Sequence, residues 1–78
     1  MSNTIINENN DMIGYYSDLV SEIKDNAKEA IISNEYEQAE DMIETLRMLD
    51  EHTDYDGLLV ISEHNGMGFT VEQYKEGQ

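Results

Sequence analysis

Apolar residues recur at helical spacing through the first two thirds of the chain and then switch to strand spacing. Met12, Tyr16, Leu19, Val20, Ile23, Ala27, Ala30 and Ile31 mostly follow one another at three or four positions, the mark of an amphipathic helix with one buried stripe. The spacing predicts a helix over about 11–32. Asn9 or Asn10 would cap it, and Asp11 would stand in its first turn, where the helix dipole favours negative charge. Gly14 weakens those turns by about 1 kcal/mol relative to alanine. Ser33-Asn34 breaks the pattern, and Asn34 followed by Glu37 has the layout of a capping box. Tyr36, Ala39, Met42, Ile43, Leu46 and Leu49 then predict a second helix over about 35–50. The short connection makes the two helices antiparallel neighbours.

After a polar loop over 52–57, the period becomes two. Leu58-Leu59-Val60-Ile61-Ser62 is a β-rich run, Asn65-Gly66 is a turn dipeptide with Gly68 close behind, and 68–74 alternates, with Phe69, Val71 and Gln73 on one face. This predicts a β-hairpin with a loop of about four or five residues. A lone hairpin is not stable in water, so its apolar face must pack on the helices. Residues 1–9 form either a flexible lead or an edge strand, in which Ile5 and Ile6 would supply a third strand, and 75–78 form a frayed tail. The expected fold is α+β: a two-helix antiparallel hairpin followed by a β-hairpin packed on it, as one domain over 10–74. Its core would hold Leu19, Ile23, Ile43, Leu46, Val60 and Val71.

Composition changes the picture from fold to function. The 78 residues include 18 Asp and Glu against four Lys and Arg, for a net charge of −14. A small domain buries only roughly 60% of its unfolded surface, and a charge of this size works against the compact state. The acids are nevertheless ordered. Asp11, Asp18, Glu22, Asp25 and Glu29 keep to one side of the first predicted helix, and Glu37, Glu40, Asp41, Glu44 and Glu51 to one side of the second. Like charges four apart cost about 0.2–0.5 kcal/mol each, and Lys24, Lys28 and Arg47 relieve only part of that. Acids four apart stand about 6 Å apart along a helix, against about 3.4 Å per nucleotide for the phosphates of a duplex strand. Ordinary solvated faces mix both signs. The one-sided charge points to a partner with a basic surface, and the loop acids Asp54 and Asp56, with Tyr55 between them, join the candidate surface.

The same charge speaks against direct binding to nucleic acid or to anionic lipid. No apolar run approaches the roughly 20 residues that span a bilayer. The first residues lack the basic and apolar regions of a signal peptide, so a cytoplasmic location is expected. With no cysteine there is no disulfide and no thiolate metal site.

His52 to Glu63 matches part of an EF-hand loop, with Asp54, Asp56, Gly57, Leu59 and Glu63 at positions three, five, six, eight and twelve. His52 in place of the first Asp, Val60 at position nine and the glycines beyond depart from that pattern, so calcium binding is a minor alternative. His52 and His64 lack the spacing of a zinc pair. No nucleophile elbow or Gly-rich phosphate loop occurs, so neither catalysis nor a cofactor is expected. Tyr15, Tyr55, Met48 and Met67 fall outside the apolar stripes and are candidate interface anchors, whereas Tyr16 and Tyr36 belong in or at the rim of the core.

The stretch NEYEQAEDMIETLRML, from Asn34 to Leu49, resembles the turn and second helix of a tetratricopeptide repeat. One such unit cannot stack, so it is ordinary helical-hairpin grammar. In size and charge, though in no motif, the chain resembles the small acidic inhibitors of phages and mobile elements: the uracil-DNA glycosylase inhibitor, anti-restriction proteins and anti-CRISPR proteins. That resemblance implies a DNA-mimicking inhibitor of a basic nucleic-acid-binding protein, such as a CRISPR effector or another defence nuclease in a host bacterial cytoplasm. It would act as a monomer or homodimer. The alternative is an acidic interaction or dimerisation module for a basic partner.

Overall fold

Asparagines near the start of the chain build a turn where a helix cap was expected. A computed structural model describes residues 4–64 and 68–75. In it, strand β1 (Ile5–Ile6) folds back on strand β2 (Met12–Gly14), pairing Ile5 with Ile13 and Ile6 with Met12. The side-chain oxygen of Asn7 accepts hydrogen bonds from the backbone N–H groups of Asn9 and Asp11, both at 2.9 Å. Asn10 sits at φ 64°, a left-handed conformation that asparagine tolerates. Asp11 thus belongs to a turn. The helix predicted from 11 begins at Tyr16, because these local bonds and the strand partners of Ile13 outweigh a spacing that also fitted a helix. Gly14 has a positional reason too: a Cβ there would come within 3.1 Å of Thr4 and 3.4 Å of Leu19.

Helix α1 (Tyr16–Ile32) and helix α2 (Tyr36–Leu49) are joined by Ser33–Glu35. The N–H of Glu35 donates to the carbonyl of Ala30 at 2.7 Å and that of Asn34 to Ile31 at 3.1 Å, with Asn34 at φ 62°. This pair of bonds is a Schellman motif, with asparagine in the usual glycine position. Asn34 therefore closes α1 rather than capping α2, and its side chain accepts from the Tyr36 hydroxyl at 2.9 Å. A 3-10 turn, Asp50–His52, ends the helical layer.

Strand β3 (Leu59–Glu63) and strand β4 (Phe69–Gln73) form the expected hairpin, shifted by one residue. Gly68 adopts φ +96° in its loop; Asn65-Gly66, Met67 and 76–78 lie outside the described residues. β3 also pairs antiparallel with β2, giving a four-stranded sheet in the order β1-β2-β3-β4. The fold is α+β, with the helical hairpin inserted between the two central strands.

The core lies between helices and sheet. Leu19, Ile23, Ala27, Met42, Leu49, Leu59 and Ile61 are buried together, with Met12, Tyr16, Val20, Leu46, Tyr55, Phe69 and Val71 packed against them. Two expected members are displaced. Ile43 is 49% exposed, while Thr45 is wholly buried, its hydroxyl satisfied by the carbonyl of Asp41 at 2.7 Å. A threonine bonded one turn back can be buried without an orphaned group, so the buried side of α2 runs through Ala39, Met42, Thr45 and Leu49. Val60 and Val71 fall on opposite faces of the sheet, because alternation along β3 turns Leu59 and Ile61 toward the helices and Val60 away.

Leu49→Ala should lower unfolding free energy by about 2–5 kcal/mol in urea titrations, and Leu46→Ala by less. Ile43→Ala should stay within about 0.5 kcal/mol of the parent. A reversed order would place the buried side of α2 elsewhere.

Candidate acidic interface

Helix geometry separates the acids from the core by rotation alone. On α1, Asp18, Glu22, Asp25 and Glu29 lie about a third of a turn round from the buried side formed by Leu19, Ile23, Ala27 and Ala30. On α2, Glu37, Glu40, Asp41 and Glu44 are displaced from the buried side by rather more. Asp25, Glu29 and all four acids of α2 are exposed, while Asp18 and Glu22 are half-buried. Glu51 follows in the 3-10 turn, and Asp54 and Asp56 are exposed in the loop beyond it. Asp11 stands apart from the helical row, held in the β1–β2 turn by its N–H bond to Asn7 and a 3.3 Å contact between the two side chains.

The distribution over the whole fold is uneven. Residues 50–57 alone carry four acids, Asp50, Glu51, Asp54 and Asp56, whereas the four strands carry two, Glu63 and Glu72. Negative charge is thus gathered on the helical layer and the loop that leaves it.

The aromatic candidates separate clearly. Tyr15 is 53% and Tyr36 60% exposed, while Tyr55 packs against the core. The Tyr55 side chain lies where any side chain at Gly57 would meet it, its hydroxyl 2.8 Å and its ring 2.9 Å from a Cβ built there. Tyr55 therefore braces the loop from within. Tyr16 also packs on the core and donates its hydroxyl to Asp50 at 2.9 Å, tying the start of α1 to the end of α2. That hydrogen bond, with desolvation and the Asp50 charge behind it, raises the Tyr16 pKa above 10.0. Met48 is half-buried, and Met67 lies outside the described residues.

Glu35 and Ile32 were passed over by the stripe reading, which put Ile31 on the buried side, where it does not lie. Glu35 is exposed in the connection, off both rows, and composition alone could have flagged it. Ile31 and Ile32 are 49% and 81% exposed beside it. The EF-hand-like alternative loses its geometry, because its last loop positions, Leu59–Glu63, form a strand and the next described element is a second strand, Phe69–Gln73, where that motif requires the exiting helix. Among the described residues no three His, Asp or Glu side chains converge as a metal site. A hollow of about 410 Å³ at the helix connection is lined by Asn34, Glu35, Tyr36, Glu37 and Gln38. No helix among the described residues is long and apolar enough to cross a membrane. The chain matches no protein-family model, no curated protein and no solved structure.

The Tyr16–Asp50 bond has a pH signature. A phenol whose folded pKa is raised contributes stability that is complete below the unfolded value of about 10 and is lost as pH climbs through the folded value. The difference in stability between the parent and Tyr16→Phe should therefore be constant from pH 7 to 9 and shrink above about 10. A difference unchanged into strong alkali would remove the bond from the folded state.

Proposed function

We propose that the protein is a non-enzymatic inhibitor whose acidic helical layer occupies the cationic groove of a nucleic-acid-binding protein of a host defence system, a CRISPR effector or another defence nuclease, in the bacterial cytoplasm. The observation that carries this reading is the segregation of charge. Thirteen acids lie on the helices, their connection and the loop that follows, within residues 18–56, and the helical rows are turned away from the buried sides. In a small domain this arrangement concentrates potential on one side, and concentrated potential acts through steering and association. Rows of carboxylates about 6 Å apart on helices offer a basic groove the same sign and a comparable density of charge as a nucleic-acid backbone. The exposed apolar residues Tyr36, Ile43 and Ile32 stand on or beside the same layer and would supply anchors that charge alone does not provide.

A second reading, an acidic interaction or dimerisation module, is favoured by a different observation: on the face of the sheet turned away from the helices, Ile5, Ile13 and Val60 form an apolar row that no helix among the described residues covers.

Two experiments test the inhibitor. Affinity for the captured target should fall steeply with ionic strength, with association slowed more than dissociation is hastened. A flat salt dependence would assign the interface to apolar contacts. Replacing Asp18, Glu22, Asp25 and Glu29 together with Gln or Ser should preserve the fold and weaken binding about tenfold or more, since exposed ion pairs contribute roughly 0.2–1 kcal/mol each. The corresponding change at Glu37, Glu40, Asp41 and Glu44 measures the share of α2. Both variants inhibiting like the parent would reduce the acidic rows to solvated surface.

A further inference from the structure

The run from Leu58 to Ile61, which opens strand β3, is apolar on both faces of the sheet, and the helices cover one of them; on the outer face Ser62, paired with Thr70, ends it. Leu59 and Ile61 point into the helical core at 0% and 4% exposure. Leu58 and Val60 alternate to the opposite side. An unbroken apolar run of this kind belongs to strands buried on both faces. The neighbouring strands continue the outer surface. In register, Ile5, Ile13 and Val60 form a row across β1, β2 and β3. Ile13 is already 7% exposed within that row, whereas Ile5 is 64% exposed. Tyr15 follows Ile13 in extended backbone, φ −77° and ψ 159°, so it falls on the same side and is 53% exposed. Tyr74, whose N–H donates to the Leu58 carbonyl at 2.9 Å, extends the surface at the other end.

Charge selects the occupant. Glu72, opposite Val60 on the edge strand, is the one acid that alternation places on the outer face of the described strands. A basic partner finds its complement on the helical layer, and a strongly acidic partner would gain nothing here. A neutral apolar surface is matched by another of its kind, and every copy of the chain carries one. Self-association of a −14 chain would fail through most of its surface. On this face, the helical acids lie behind the sheet by at least about one helix diameter, 10–12 Å. Across two apposed sheets they are more than about 20 Å apart, well beyond the screening length of about 8 Å at physiological salt.

We infer that the outer face of the sheet, centred on Ile5, Ile13 and Val60, is a homodimer interface in which two sheets pack face to face and the acidic helical layers point outward on both sides. Aligned sheets cross at about −30°, and the twofold relation that lays β4 over the β1 of the partner keeps the two Glu72 carboxylates apart. The strands, two, three, five and five residues long, at about 3.3 Å per residue and about 4.8 Å between strands give a face of roughly 240 Å² in projection. Specific interfaces remove about 800 Å² from each partner, so the dimer is weak and its population depends on concentration.

Sedimentation equilibrium of the full chain from about 10 μM to 1 mM, at low and high salt, tests this. The mass should rise from 9.0 kDa toward twice that value, and the rise should be stronger at high salt, where residual repulsion is screened. This is opposite in sign to the salt dependence of the proposed target, so the two readings fail independently. Ile5→Lys and Val60→Lys, checked for native circular dichroism, should each raise the dimer dissociation constant about tenfold or more although each lowers the negative charge. Ile5 is exposed enough that its variant serves if Val60→Lys does not fold. Ile32→Lys, on the helical layer, should dimerise like the parent. A parent that stays at 9.0 kDa to 1 mM, a dimer that weakens with salt, folded Lys variants that dimerise unchanged, or loss of the dimer in Ile32→Lys would each overturn the inference.

Discussion

Strand β3 is the element on which the other parts converge. It pairs with β2 on one side and β4 on the other, so it turns two separate hairpins into one sheet. Leu59 and Ile61 provide the floor on which Leu19, Ile23, Met42 and Leu49 are packed. Five residues therefore hold together strands from both ends of the domain and both helices. The small residues Ala30 and Ala39, both nearly inaccessible, lie near the connected ends of the helices. The larger side chains, Leu19, Ile23, Met42 and Leu49, carry the core toward the sheet. In a domain too small for a deep interior, one strand with a full complement of neighbours takes the place of a larger core.

Electrostatics divides the molecule along the same boundary. Strands need closely spaced backbones and cross-strand side-chain contacts, which disfavour like charges directly opposite one another. Helices in a two-layer fold expose more than half their circumference, and that is where carboxylates can stand with the least desolvation. The result is a particle with one strongly negative side and one nearly neutral side. The two proposed contacts use these sides separately, so occupation of one leaves the other accessible.

Much of this was legible in the chain, and the errors have specific causes. The helix pair and the terminal hairpin followed from periodicity and turn residues, whereas for Ile5 and Ile6 periodicity leaves open a flexible lead or an edge strand, which the pairing with β2 decides. Residues 11–15 did not, because Met12 and Tyr16 fit a four-residue step equally well as a helix or as a strand meeting a helix. What decided the matter was a partner strand far along the chain and a side-chain turn at Asn7, neither of which periodicity reports. Ile43 and Thr45 were exchanged because hydropathy ranks threonine as polar, while a hydroxyl bonded to its own helix is already satisfied. Val60 was assigned to the core because a continuous apolar run does not reveal which of its alternate residues faces inward. For the candidate surface, the acidic rows on both helices were readable as rotation about an axis. The inward packing of Tyr55 depended on Gly57 two residues later and was not.

Insertion of the helical hairpin between β2 and β3 also bears on how the chain finds this structure. Gly14 and Leu59 must meet across the whole helical segment, and closing a flexible loop carries an entropy penalty that grows with its length. α1 and α2 are neighbours in sequence, and the Schellman turn at Asn34 reverses the chain between them. Their lengths, 17 and 14 residues, return the chain close to where it left the sheet. Helical contacts of this local kind form on microsecond timescales. Early pairing of the helices would turn a long-range search into a short one and leave the β2–β3 seam as the final step. The turn at 33–35, which contributes no residue to the sheet, then shortens the loop that the β2–β3 seam has to close.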